Sequence, residues 1–358
     1  MAFGMSLGGG GTGPAGADTL LEHVRTELMR SYYRPVPANV LREPSVSAML
    51  SALHDPYTEY LDGTKLRLLQ RETRSTYTGI GVGVLPVADG LRVVRMKAGP
   101  ARAAGLAVGD VITSVNRKPI REATYESAIA TLIGPEGTTV HLDARRGSQT
   151  LALDVVRARL GAPAVQSKLL ALDKLRIGYL RLSAFRTGAA PVVSAALDKL
   201  ARANAAGIVL DLRGNPGGLF EQAVAVASLF LDHGVIVTLI SAHASRQVYS
   251  ASADNATALP LVVLIDRNSA SAAEIVAAAL RDNRRALLVG EHTFGKAVVQ
   301  SVRPLPNGAA LRLTTATYLT PAGRDINLRG VEPHLVAPDR PGTRADEGLE
   351  AALELFLR

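Results

Sequence analysis

The chain contains no cysteine and no tryptophan. Disulfides, thiolate metal sites and cysteine nucleophiles are therefore excluded, and the redox compartment is left open. Aromatic residues make up only 4% of the sequence, and no basic patch is interleaved with them. That argues against nucleic acid as a partner despite a net charge of +8. The cations are scattered, so the charge reads as a basic, soluble surface. Lysine itself is scarce, supplying 7 of the 40 basic residues and leaving 33 to arginine. No apolar run has the length of a membrane helix. The opening MAFGMSLGGGGTGPAGADT has neither the basic start nor the long apolar stretch of a secretory signal. Its GGGGTG lacks the Gly-Lys-Ser/Thr ending of a phosphate loop, no HExxH occurs, and Asp and Glu show no metal-loop spacing. Neither a metal nor a cofactor is expected.

What is present is a chain of 358 residues, 47% hydrophobic, which is more than one core usually holds. Residues 1–16 form a glycine-rich leader. Over 17–76, Leu20, Leu21, Val24 and Leu28 recur at helical spacing behind Asp18, which the pattern places as a cap, and a second helix is predicted from Val46 to Leu53. LHDPYTEYL then marks a turn at Asp55 and Pro56. From 77 to 159 short strands dominate (YTGIGVGVLPV, LRVVRM, VITSVNRKPI, TVHLDARRG), so a compact β-rich module is expected. From 160 to 358 strands and helices alternate. GIVLDL and LVVLID have the continuous apolar character of strands covered on both faces, which predicts an α/β core.

Two places in that core carry chemistry. In RNSASAAEIV, Ser269 and Ser271 stand among small residues where an alanine-rich helix begins, so backbone N–H groups and the positive helix end face any bound oxyanion. Both serines could equally be ordinary helix caps. No histidine partners them: His292 is nearest, with no serine-histidine-aspartate grouping around it. Lys296, in the turn TFGK of an arginine-rich chain, is the better base, because a desolvated lysine can lose its proton and an arginine cannot. Gln300, four residues on, is placed to orient that amine. The second place is LDLRGNPGGLF, where Gly217 and Gly218 follow a buried-strand pattern and can bring backbone N–H groups close to a substrate.

LHDPYTEYL, TGIGVGV, GPARAAGLAVGDVITSVN, IGYLRLSAF, VLDLRGNPGG, SASAAEI, TFGKAVVQ and LTTATYLTPAGRDINLRGVEPH occur in one order, with Lys296 25 residues after Ser271. Together they resemble the C-terminal processing peptidases, or tail-specific proteases, over nearly everything from Leu20 onward. The resemblance implies a crotonase/ClpP-like α/β spiral protease core with an inserted PDZ domain and an N-terminal helical segment. It implies Ser271, not Ser269, as nucleophile, Lys296 as general base and Gln300 as its orienting residue. The oxyanion hole would use the N–H of Ala272 and one from the Gly217-Gly218 turn, with Gly217 favoured. The loop Gly79-Ile80-Gly81-Val82 would hold a peptide's terminal carboxylate on backbone N–H groups. The implied partners are protein or peptide substrates bound by their C-termini, and a second copy of the chain through the N-terminal helices. Export is implied as well. Ala297 departs from the glycine that more often follows the family's lysine. Two rival functions are a catalytically inactive PDZ adaptor or chaperone-like peptide binder, against which Ser271, Lys296 and Gln300 stand together, and a crotonase-type acyl-CoA enzyme, against which the inserted module stands.

Overall fold

The computed structural model describes residues 14–73, 77–96, 99–122, 125–160, 164–252, 256–339 and 345–357. Its centre is a six-stranded sheet in the order Val165–Leu172, Leu175–Leu182, Gly207–Asp211, Leu261–Ile265, Leu287–Gly290, Leu335–Val336. The first pair is antiparallel and every later pair parallel. Strand alternation explains why the apolar runs are continuous. Ile208, Leu210, Val263, Ile265 and Leu288 point to one face, where helices Ala189–Arg202, Phe220–Ser228 and Ala272–Asp282 cover them. Val209, Val262, Leu264 and Val289 point to the other, under the C-terminal helix Glu347–Glu354.

A second sheet runs Glu59–Leu61, Ala310–Leu319, Val235–Ile240, Gln247–Ser250, with Val298–Pro304 paired to Ala310–Leu319. Ile236, Leu239, Ala316 and Tyr318 join the same core as the three helices. On its flank lies the N-terminal layer. Helix Pro14–Ser31 buries Val24 and Leu28 against Met49 and Leu53 and against Leu311 and Leu313 of the long strand. This helix starts ahead of Asp18, so Asp18 lies within it and is not its cap. Helix Val46–Ala52 begins where Ser45 Oγ accepts from Ala48 N–H.

The β-rich module has its own core around Ile80, Leu91, Ile112, Leu142 and Val155. Its sheet runs Val82–Val87, Gly90–Met96, Val111–Val115, Thr139–Arg146, Gln149–Val156, with Lys118–Pro119 paired to Val111–Val115. Entry and exit chains are zipped together: Tyr77–Gly79 pairs antiparallel with Ala158–Leu160. The helix Tyr125–Leu132, which follows no motif noted in the sequence, completes the module.

Candidate active site

Two parallel strands, Gly207–Asp211 and Leu261–Ile265, end side by side, and the loops that leave their carboxyl ends build the site. The first loop is organised by Asn215, which is fully buried. Its Nδ2 donates to Leu182 O at 2.8 Å, its Oδ1 accepts from Gly217 N–H at 2.9 Å, and its carbonyl accepts from Ala270 N–H at 2.9 Å. One residue thus fixes the glycine turn through its side-chain amide and ties it to the serine elbow through its backbone carbonyl. Gly217 has φ +101°, and a Cβ there would lie 2.8 Å from Ala270 O and 2.9 Å from Ser271 Cβ. Only glycine fits so close to the elbow. Phe185 lines up beside the turn, donating to Gly217 O at 2.9 Å and accepting from Leu219 N–H at 2.7 Å.

The two serines of the second loop have different surroundings. Ser269 is fully buried; its Oγ donates to Leu212 O at 2.9 Å and accepts from Asp266 N–H at 3.0 Å. That hydroxyl is structural. Ser271 is half-buried, lines the cleft, and holds φ +54° and ψ −111° as the residue before helix Ala272–Asp282. A non-glycine residue in such a conformation costs about 1–3 kcal/mol and persists only when its surroundings over-determine it. Here the restraint comes from Glu274, a fully buried carboxylate three residues on.

Glu274 joins the elbow to the lysine turn. Its Oε2 accepts from Ser271 N–H and from Lys296 N–H, each at 2.8 Å, and its Oε1 accepts from Thr293 Oγ1 at 2.5 Å and Gly295 N–H at 2.7 Å. Tyr318, fully buried, makes the matching link through carbonyls: its hydroxyl lies 2.8 Å from Lys296 O and 3.2 Å from Ser271 O. Serine and lysine backbones are therefore clamped on both sides.

The lysine side chain has its own cradle. Nζ donates to Gln300 Oε1 at 2.8 Å and lies 4.7 Å from the centroid of the Tyr57 ring. Gln300 Nε2 donates in turn to Tyr57 O. Tyr57 is placed by the Asp55 turn, whose carboxylate accepts from Tyr57 N–H at 2.9 Å and Thr58 Oγ1 at 2.7 Å. No hydrogen bond joins Nζ to Ser271 Oγ among the described residues. Burial lowers the lysine pKa, the Arg312 guanidinium lowers it further, and the carboxylates of Asp55 and Glu274 oppose both. Ala297 is fully buried in the main core, so the methyl that departs from the family's glycine is accommodated there.

Ser271, Ala272, Lys296, Gln300, Gly217 and Gly218 all line one cleft of about 1290 Å³. Helix Gly63–Glu72 contributes Leu66 and Leu69 to the same cleft. Ala272 N–H and Gly218 N–H make no hydrogen bond among the described residues, whereas Gly217 N–H is engaged by Asn215. Gly79, Ile80, Gly81 and Val82 lie outside this cleft, in the β-rich module. Gly79 pairs with Ala158, Ile80 is buried and accepts from Ala101 N–H at 3.0 Å, Gly81 takes φ +89°, and Val82 opens a strand.

Residues 176–337 match peptidase family S41, and residues 92–146 match the PDZ domain. The chain is 36% identical to the carboxyl-terminal-processing protease of Picosynechococcus sp., over 95% of this chain and 85% of that protein. The chain belongs to peptidase family S41. It is a serine-type C-terminal processing peptidase with a PDZ domain. The chloroplastic carboxyl-terminal-processing peptidase 2 of Arabidopsis thaliana is 38% identical over 84% of this chain, which spans 61% of that relative's length. Among solved structures, the photosystem II D1 C-terminal processing protease superposes with a TM-score of 0.61 at 30% identity, covering 94% of this chain and 96% of that one. The layered α/β core with an inserted PDZ domain is the architecture expected from the sequence. Glu274, Tyr318, Tyr57 and Asn215 are the site residues that sequence reasoning missed. Each lay inside a motif already noted, but nothing in the spacing said what it would touch.

Proposed function

We propose that Ser271 attacks the scissile carbonyl of a polypeptide, with neutral Lys296 taking its proton and Gln300 steering the amine. The observation that carries this reading is the double clamp by Glu274 and Tyr318, which holds the serine and lysine backbones together at the wall of one cleft. In the resting arrangement the ammonium rests on Gln300 and the Tyr57 ring. Losing its proton removes the cation–π attraction and frees Nζ to turn toward Oγ. The tetrahedral oxyanion is met by Ala272 N–H at the helix start and by the glycine turn. Gly217 serves by sharing the N–H it gives Asn215; Gly218, one residue on, has an N–H that no group among the described residues engages. Collapse of that intermediate expels the amine product, protonated by Lys296, and leaves an acyl group on Ser271 that water releases with the lysine again as base.

The PDZ domain, taken as 77–159, would present substrates by their C-termini, with the loop Gly79 to Val82 receiving the carboxylate. An exported location and a self-association through the N-terminal helices belong to the same reading. A fluorophosphonate probe tests the nucleophile. Peptide mapping should find the adduct on Ser271, at a rate that falls with Lys296→Met; labelling at Ser269, or labelling indifferent to Lys296, would overturn the assignment.

A further inference from the structure

Within the cleft the charges do not balance. Its lining carries Arg30, Arg186, Lys296, Arg303 and Arg312 against one carboxylate, Glu221. Lys296 is bound by Gln300, Arg303 faces Glu27 at 3.8 Å, and Arg312 faces Glu59 at 2.5 Å. Arg30 is exposed at the last turn of its helix. Arg186 is different. It is half-buried and makes no ion pair among the described residues, and although its Nε shares with that of Arg312 the lack of a hydrogen-bond partner, Arg312 has a carboxylate and Arg186 has none.

Its backbone is nevertheless fixed at every neighbouring position. Arg186 N–H donates to Ala184 O at 3.2 Å and its carbonyl accepts from Ala189 N–H at 2.9 Å. Phe185 is bonded to the glycine turn on both sides, and Thr187 N–H donates to Thr73 O at 3.0 Å, just past the helix that overhangs the cleft. A guanidinium on so rigid a segment, with a buried donor left over, is unusual in a folded chain. It is a fork held ready for an anion that arrives with the substrate.

The geometry points to Arg186 as a specificity-determining residue that receives a carboxylate of the bound polypeptide a few residues from the scissile bond. This rests on the protease reading for the position of the bond, but the charge and the unpaired donor do not depend on it. The carboxylate belongs either to an Asp or Glu side chain or to the substrate's own terminus.

The test uses quenched fluorescent peptides that differ only by Asp or Asn at each of the three positions on either side of the cleavage site, each made as free acid and as amide. Wild type should prefer Asp at one position by about tenfold in kcat/KM, mostly through KM, as one charge-assisted pair allows. Arg186→Gln should bring that ratio close to one while leaving kcat for the Asn peptide unchanged. Arg186→Glu should favour Lys at the same position. A free-acid preference that disappears in Arg186→Gln, with no Asp preference, would identify the terminus as the source. An Asp-to-Asn ratio near one in wild type with no free-acid preference that depends on Arg186, or an Asp preference that survives Arg186→Gln, would overturn the inference. If Arg186→Gln melts well below wild type, Arg186→Lys, which keeps the charge and loses the fork, replaces it and should show a weakened preference. If no peptide is cut, the protease reading is what fails. The Asp-to-Asn ratio of dissociation constants, measured by calorimetry on Ser271→Ala with and without Arg186→Gln, then decides the role of Arg186.

Discussion

Glu274 holds the backbone N–H of Lys296 at 2.8 Å with the same oxygen, Oε2, that holds the N–H of Ser271 at 2.8 Å. A single buried carboxylate therefore sets the separation of the two residues proposed to carry the chemistry. Its other oxygen accepts from Thr293 Oγ1 and Gly295 N–H, so every donor around it points inward. Glu274→Gln places an NH2 donor where an acceptor is needed and leaves at least one N–H unpaired. Bonds to a buried charged group contribute about 1.5–3 kcal/mol each. Glu274→Gln should thus lower the unfolding free energy by about 2–4 kcal/mol in urea titration, and should lower kcat at least a hundredfold with a small change in KM. Normal kcat in a destabilised variant would mean that the carboxylate holds the fold and not the reacting pair.

How much of this was legible depended on what kind of signal each residue leaves. Val209, Leu210, Val262 and Val263 lie in strands covered on both faces, and a buried strand writes itself as an apolar run. Ser271 and Lys296 stood out because small residues, a helix start and a rare lysine are visible in one dimension. Glu274 reads locally as the acid of a capping box, which it is. Its bonds to Thr293, Gly295 and Lys296 exist only once the chain has returned past it. Tyr57 lies far from Lys296 in sequence, and strand pairing of Glu59–Leu61 with Ala310–Leu319 is what brings its segment to the site. Asp18 was misplaced as a cap because the turn that precedes it, PAGA, has only small residues, a glycine and a proline, so the large apolar pattern starts at Leu20 while the helix starts at Pro14.

The two serines of the elbow should separate cleanly. Ser271→Ala should abolish cleavage and leave the fold intact, since the bond from its backbone N–H to the Glu274 carboxylate survives the substitution. Ser269→Ala loses contacts to Leu212 O and Asp266 N–H, both at fully buried positions or beside them, and should cost about 1–3 kcal/mol of stability while keeping measurable turnover. Lys296→Arg should be inactive, because arginine keeps its proton. Measurable turnover in Lys296→Arg would remove lysine from the role of base.

The pH dependence carries a sign that two substitutions move in opposite directions. Burial lowers the Lys296 pKa from 10.5, and the Arg312 cation lowers it further. With Lys296 as the proposed base the neutral amine is the active form, so kcat/KM should rise with pH through one ionisation that lies below the ordinary lysine range. Arg312→Gln removes a repelling cation, favours the ammonium and should move that limb up in pH. Tyr57→Leu removes the ring that favours the ammonium and should move it down, giving a faster relative rate near neutrality. His292→Gln should leave the limb in place. Shifts of the same sign in Arg312→Gln and Tyr57→Leu would show that the limb does not report Lys296.

In the proposed reading, selection of tails rests on the loop from Gly79 to Val82. Its backbone is held on the module's core by Ile80, whose side chain is buried and whose carbonyl accepts from Ala101 N–H, while Gly81 at φ +89° turns the chain into strand Val82–Val87. A terminal carboxylate seated there gains charge-assisted bonds from backbone N–H groups, and an amidated terminus brings no charge and an extra donor in place of an acceptor. The free acid of a peptide should therefore be cut at least tenfold more efficiently than its amide, with the difference in KM. Gly81→Val cannot keep φ +89° without strain and should bring the ratio close to one while leaving the fluorophosphonate rate at Ser271 unchanged, because the loop lies outside the cleft. Excising the module between Gly79 and Ala158, with the paired strands kept as a joint, should have the same effect on the ratio. Equal cleavage of acid and amide by the intact chain would show that the PDZ domain does not read the terminal carboxylate, even where the serine and lysine chemistry stands.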